Sequence, residues 1–582
     1  MKSTIEEGLA QPAGSTGKDN SGIDRRAFLR AGASAIAGGA LLAQSGTPAH
    51  AQAAKPAASS IAQTRAGMIR GLYNGAAHVF KGVPYAAPTG GANRFMAPQS
   101  VTPWTGVRDA TRLSHQSPQL QANVMPEEMI SLDNSAFGED CLSVNVWTAG
   151  LRDGAKRPVM VWFHGGGFSA GSGGDVRYDG TNLAHKHGVV LVTVNERLNA
   201  FGFLYLAELG GERYADSGNA GLLDLVASLK WVHDNIQEFG GDPGNVTIFG
   251  QSGGGGKVTA LMATPAARGL FHRAIAESGL SIDAISTHDA TDMARQVMDW
   301  AGLKPNQVDE LQKLPIDSIL AAMGGIEYGT QAGGFLRFGP VIDRRTLSGN
   351  PWDPVAPSVS AHVPLVLGSN LTEICFQPST PKDPMTDRQL HEVVQRGLGF
   401  GARLNPTQAD QLIALYRRGY PNETNVRLYH IMGSDNWMTA NVAMVAERKQ
   451  ALRAAPAYVY HFEWLTPVDC GRLGSPHTLE IPFVFDNLDV PTVDIVTGSG
   501  EERYALADRM SRAWTTFART GNPNVTGLPH WPAYTAGNRA VMVFNDDCQV
   551  EINPHAEQRE AIAHLHAMAR AARAAGRPGR AA

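Results

Sequence analysis

Cysteine is scarce: four in 582 residues, too few for a disulfide-stapled scaffold. Charge of either sign is thin as well. Charged residues make up 18% of the chain, and 50 lysines and arginines face 54 aspartates and glutamates for a net charge of −4. That balance argues against a general nucleic-acid binder, which needs a dominating basic field. No uninterrupted apolar run reaches the roughly 18 residues that a membrane-spanning helix requires. What the chain has in excess is glycine, 64 residues, which calls for many tight turns or close approaches of backbone. With 43% hydrophobic residues, the length is ample for a large buried core.

The N-terminus reads as an address rather than as fold. Residues 1–22 are polar, and Asp24-Arg25-Arg26-Ala27-Phe28-Leu29-Arg30 follows them. A weakly apolar run, Ala31 to Ala43, then leads to Ala49-His50-Ala51, a small-x-small cleavage site. Paired arginines, a mild apolar stretch and a cleavage site in that order resemble a twin-arginine export signal. The expected organisation is a removable signal over 1–51 and a single domain over 52–582, soluble, without stable membrane insertion, and periplasmic or secreted.

Short apolar runs then alternate with helical patterns. Val159 to Phe163, Val189 to Val194, Val246 to Phe249, Pro364 to Leu367 and Tyr458 to Phe462 read as buried strands. Leu222, Leu225, Val226, Leu229, Val232 and Ile236 recur at helical spacing. The alternation predicts an α/β fold with a mainly parallel sheet covered on both faces. Residues 283–330 and 385–450 are mostly helical in pattern and interrupt it, as cap insertions would. Thr386-Asp387-Arg388-Gln389 is a capping box that opens one of these helices. Beyond Ala556 the Ala- and Arg-rich chain reads as a final helix that frays into Arg577-Pro578-Gly579-Arg580.

Gly250-Gln251-Ser252-Gly253-Gly254 matches the nucleophile elbow, a serine on a sharp strand-to-helix turn. The pattern occurs twice, because Gly167-Phe168-Ser169-Ala170-Gly171 also fits. Context separates them. Ser252 follows an apolar run and precedes a helical segment, whereas further glycines follow Ser169. A phosphate-binding loop is excluded at the same glycines: Gln251 stands where its first glycine should be, and Val258 stands where a serine or threonine should follow Lys257. His164-Gly165-Gly166-Gly167-Phe168 follows directly on a predicted strand. It is a glycine loop of the kind whose backbone N–H groups receive a developing oxyanion. Gly166 and Gly167 are the expected donors, with the amide of Gly253 as the third.

At this point the sequence resembles the type B carboxylesterases, a family of the α/β-hydrolase fold that includes bacterial para-nitrobenzyl esterases and, more distantly, cholinesterases. The resemblance covers about residues 64–550. It rests on Phe80-Lys81-Gly82-Val83-Pro84-Tyr85-Ala86, Glu139-Asp140-Cys141-Leu142, Phe239-Gly240-Gly241-Asp242-Pro243 and Gly521-Asn522-Pro523 besides the elbow. It implies a triad ordered Ser, acid, His. Gly368-Ser369-Asn370-Leu371-Thr372-Glu373 fits the family's acid context, so Glu373 is the expected acid. Ser475-Pro476-His477-Thr478-Leu479-Glu480-Ile481-Pro482-Phe483-Val484-Phe485 fits the context of its base, so His477 is chosen among 18 histidines. Ser278, in Glu277-Ser278-Gly279, matches a serine that supports the triad in the family, or is an ordinary turn serine. The implied activity is hydrolysis of a small-molecule carboxylic ester through an acyl-enzyme, with no metal or organic cofactor and no nucleic-acid partner. Two alternatives stay open: a non-catalytic binding protein on this fold, and an acyl transferase, amidase or lactonase that uses the same triad.

Three departures from the family pattern limit the resemblance. Gln251 and Gly253 flank the serine where Glu and Ala are usual, and Gly253 is expected to loosen the turn. Ser117 stands where many members carry a cysteine that pairs with the one in Glu-Asp-Cys-Leu, so Cys141 is expected to be a free, buried thiol. The 118–139 loop carries Met125 and Met129 but no tryptophan, which argues against a choline-ester specialist. Trp104, Trp162, Phe168, Phe335 and Phe338 are candidates for an apolar pocket, or simply core.

Overall fold

Val159, Met160, Val161, Trp162 and Phe163 are apolar without alternation, the signature of a strand covered on both faces, and all five are buried. The computed structural model, which describes residues 58–120, 132–329, 338–375, 384–398 and 403–575, places them in a 13-stranded sheet. The arginine-pair segment 1–51, Met125, Met129, Phe335 and Arg577–Arg580 lie outside the described residues. The strands are β1 (Ala58–Gln63), β2 (Met68–Tyr73), β3 (His78–Pro84), β4 (Val107–Asp109), β5 (Ser143–Thr148), β6 (Arg157–Phe163), β7 (Val190–Asn195), β8 (Gly241–Gln251), β9 (Arg273–Glu277), β10 (Leu365–Asn370), β11 (Ala457–Phe462), β12 (Ala540–Phe544) and β13 (Gln549–Ile552). Their spatial order is β1-β2-β3-β5-β7-β6-β8-β9-β10-β11-β12-β13, with β4 on β2. From β7 to β12 every neighbour is parallel. Antiparallel pairs flank this centre at both edges. The sheet begins at β1, ahead of the start near residue 64 that the sequence suggested.

Two apolar layers follow from the two-residue period of the strands. On one face Val159, Val161, Phe163, Val246, Ile248, Ala274 and Leu365 join Leu222, Leu225, Leu229 and Val232 of helix α1 (Ala220–Asn235). On the other face lie Met160, Trp162, Phe249, Ile275, Val366 and Tyr460.

Helices fill the long connections. Helix α2 (Gly253–Met262) follows β8, and α3 (Thr287–Trp300) and α4 (Ile316–Gly329) separate β9 from β10. Between β10 and β11 lie α5 (Asp387–Gln395), α6 (Pro406–Gly419), α7 (Asn425–Ser434), a π-helical turn (Asp435–Thr439) and α8 (Ala440–Ala451). The capping box at Thr386 is formed, and a second one opens α6 at Asn405 ahead of Pro406. These helices share their own core, with Leu390, Val394, Leu412, Tyr416 and Ile431 in it. Helix α9 (Glu502–Thr520) closes the second face of the sheet through Leu506, Met510, Trp514 and Phe517, one or two turns apart. The last helix, α10 (Ala556–Ala575), stands where the sequence placed it. Among the described residues no helix is long and apolar enough to cross a membrane.

Candidate active site

The carboxyl ends of parallel strands converge on one rim, where α/β sheets place their sites. Strand β8 ends at Gln251 and α2 begins at Gly253, so Ser252 alone makes the turn. Its backbone sits at φ 58°, ψ −122°, a strained conformation for a residue with a side chain. The strain is held from both sides: the Ser252 amide donates to the Glu277 carbonyl at 2.8 Å, and the Gly256 amide donates to the Ser252 carbonyl at 3.0 Å. Gly250 is required by close approach, because a Cβ there would lie 2.5 Å from the Phe163 carbonyl oxygen.

The glycine loop leaves the end of β6 and lies over this turn. Gly166 and Gly167 both have positive φ, 86° and 67°, open to glycine and adverse to other residues. The Gly166 carbonyl accepts the amides of Ser169 and Ala170 at 3.2 and 3.1 Å, so it is turned back into its own loop. Among the described residues the amides of Gly166, Gly167 and Gly253 donate no hydrogen bond. A Cβ on Gly253 would meet Gly167, 2.5 Å from its Cα and N. Gly167 thus occupies the space that a methyl group at residue 253 would take. Ser169 lies within the same loop and opens no helix.

Glu373 follows β10 and is fully buried. One carboxylate oxygen accepts the Asn370 amide at 2.7 Å, and the other is 2.5 Å from His477 Nδ1. Two bonds strap the two loops together: the Thr372 amide to the Ser475 carbonyl at 3.0 Å, and Asn370 Nδ2 to the Pro476 carbonyl at 2.8 Å. The His477 ring packs on Trp437 with centroids 5.2 Å apart. Gln251 Nε2 is 3.4 Å from both ring nitrogens, so the residue beside Ser252 touches the imidazole that Glu373 holds. The structure thus gathers Glu373, His477 and the Ser252 turn at one rim.

Ser278 is buried, and its hydroxyl donates to Glu480 at 3.3 Å. Glu480 also accepts from Asn370 Nδ2 at 2.6 Å. Burial, and then the charge of Glu373, push the Glu480 carboxyl up to about 7. Glu277, on β9, accepts from the Trp514 indole at 2.7 Å, and burial followed by Glu480 raises its carboxyl well above the ordinary range. The sequence reading missed Glu480 as a site neighbour, although it lies three residues past His477 in the run that identified the histidine. Trp162 is core, against Tyr178, Phe249 and Phe485, and Trp104 donates to the Met68 carbonyl near β2. Phe168 packs edge-on to Phe203, 5.2 Å away, and Phe338 is buried. Cys141 is buried and unpaired, and Ser117 accepts the Leu198 amide at 3.1 Å. Burial pushes the Cys375 thiol up to about 12, so it is no rival nucleophile at neutral pH.

The sequence profile of the Carboxylesterase family matches residues 58–562. The chain is 34% identical over 508 residues to the para-nitrobenzyl esterase of Bacillus subtilis, with 86% of this chain and 98% of that protein covered. It is 32% identical to the phenmedipham hydrolase of Pseudarthrobacter oxydans, over 84% of this chain and 95% of that protein. The crystal structure of a carboxylesterase from Geobacillus stearothermophilus superposes with a TM-score of 0.73 at 36% identity, over 86% of this chain and 99% of that one. The chain therefore belongs to the carboxylesterase family and is a carboxylic-ester hydrolase of the α/β-hydrolase fold.

Proposed function

We propose that Ser252, His477 and Glu373 are the catalytic triad of this ester hydrolase. The observation that carries the reading is Glu373 bound to Nδ1 of a buried imidazole whose other face meets the residue beside Ser252. With Nδ1 held by the carboxylate, Nε2 takes the hydroxyl proton as Ser252 Oγ attacks the ester carbonyl. The amides of Gly166, Gly167 and Gly253 receive the oxyanion. His477 returns the proton to the leaving alcohol, and water, activated by the same imidazole, then releases the acid from the acyl-enzyme. Ser278 supports this arrangement from behind, through Glu480 and Asn370. The substrate is a small-molecule carboxylic ester, and the name of the Bacillus relative makes p-nitrobenzyl esters a natural addition to a test panel.

The test is hydrolysis of p-nitrophenyl esters, from acetate to dodecanoate, by the protein and its Ser252→Ala variant. Turnover that falls at least ~10⁴-fold in a folded variant supports the assignment. Activity that survives in Ser252→Ala overturns it and returns attention to Ser169. A folded parent without activity on any ester favours the binding-protein alternative.

The same proposal places the enzyme outside the cytoplasm, on the order of Arg25-Arg26, the apolar run and Ala49-His50-Ala51. Cell fractionation of the full chain and an Arg25→Lys/Arg26→Lys variant checks it. Export lost in the variant supports the signal, and equal export contradicts it.

A further inference from the structure

Lys257 has no part in the chemistry above, yet its side chain is fully buried on α2, just past Ser252. A lysine at zero exposure needs a partner, and it has two. Its ammonium forms an ion pair with Glu196, which is equally buried just beyond β7. It also donates to the His164 carbonyl at 2.9 Å. Glu196 in turn faces the His164 ring, with Nε2 3.4 Å from a carboxylate oxygen. Burial alone would raise the Glu196 carboxyl, but Lys257 and then His164 overcome it and hold the group down to about 2.

His164 is the root of the glycine loop. It is gripped at its main chain by Lys257 and faced at its ring by Glu196. Three glycines follow it, with no side chains of their own to fix them, and they reach the elbow at once. Gly165 faces Ser252, with a Cβ on it 3.5 Å from the serine Cβ, and Gly167 abuts Gly253. Lys257 rises from the very helix that Ser252 and Gly253 open, so one side chain links the nucleophile's helix to the root of the oxyanion loop. A buried ion pair is weak evidence for stability, since well-packed apolar residues often do as well. The extra bond to the His164 carbonyl is what an apolar replacement cannot supply.

The geometry points to Lys257, backed by Glu196, as a positioning residue that sets where the Gly166 and Gly167 amides stand relative to Ser252. This inference rests on the esterase reading and extends it. An amide that meets the oxyanion only as it forms acts on kcat and not on KM.

The test compares Lys257→Met with the paired variant Lys257→Met/Glu196→Gln, which removes both charges together. Three quantities are read: kcat and KM on p-nitrophenyl butyrate, the rate of Ser252 labelling by a fluorophosphonate probe, and Tm. Lys257→Met alone leaves Glu196 buried without its cation, and its Tm falls. In the paired variant Tm returns toward the parent, while kcat and labelling stay roughly 10–100-fold low, with KM within about twofold, because the His164 carbonyl still lacks its donor. Parental kcat and labelling in either folded variant overturn the inference and leave the pair a packing element. Should neither fold, Glu196→Asp keeps both charges and draws the ammonium away from His164. A lowered kcat at unchanged KM then supports the inference, and parental kcat overturns it. A parent chain that neither hydrolyses esters nor labels at Ser252 overturns the esterase reading instead, so the two failures are distinguishable.

Discussion

At the scale of the residue, Gln251 is the most informative departure. Its neutral amide lies 3.4 Å from both nitrogens of His477, at the position where the family usually carries Glu. Also around that ring stand the Glu373 carboxylate on Nδ1, the Trp437 ring and, more distantly, the buried Glu480. A carboxylate at residue 251 would add a negative charge against the imidazole and favour its protonated form. The proposed general-base role of His477 needs the neutral ring, so Gln251→Glu should move the acid limb of kcat/KM to higher pH. Activity at alkaline pH should change less. Overlapping pH profiles of parent and variant would mean that the amide does not sense the ring. Glu373 and His477 were legible because short motifs surround them. The contact from Gln251 was not, because it depends on how a loop from far along the chain settles onto the elbow.

At the scale of the element, the site is a meeting of two turns: the glycine loop after β6 and the elbow between β8 and α2. Their separation is set by the absence of side chains. Gly253→Ala would place a methyl group 2.5 Å from Gly167 Cα and N, and backbone on both sides cannot yield without one turn moving. Displacement of the proposed oxyanion donors should lower kcat about 10–100-fold while KM on p-nitrophenyl esters changes little. A parental kcat in this variant would show that the loop shifts without consequence. The strands that carry these turns were readable as continuous apolar runs. The marginal strands β4 and β13 were not: β4 is exposed throughout, and β13 has no buried residue, so neither leaves an apolar run. Lys257 and Glu196 were unreadable for another reason. Burial of a charge is decided by its partner, and nothing local in a sequence marks two distant charges as a pair.

At the scale of the whole molecule, the rim buries more acid than the proposed triad uses. Glu277 from β9, Glu373 after β10 and Glu480 beyond His477 are all fully buried, so strands and loops from distant parts of the chain share one unfavourable charge balance. Burial first, and then Glu480, hold the Glu277 carboxyl well above its ordinary 4.5. A carboxyl raised in the folded state binds its proton more tightly there than in the unfolded chain. The stability it contributes is therefore complete below about pH 4.5 and drains as pH climbs toward the folded value. Glutamine keeps the oxygen that accepts from Trp514 and cannot ionise. Glu277→Gln should then match the parent near pH 4.5 and exceed it increasingly above, with Tm higher by about 1–3 °C at pH 8 to 9. Differential scanning calorimetry across pH 4.5 to 9, at one ionic strength and one scan rate, reads the difference directly. A Tm gap that is constant with pH, or that widens toward acid, would mean that Glu277 is ionised in the native protein, with the Trp514 hydrogen bond sustaining its charge. The acids behind the proposed triad would then act as a fixed negative field and not as a proton store.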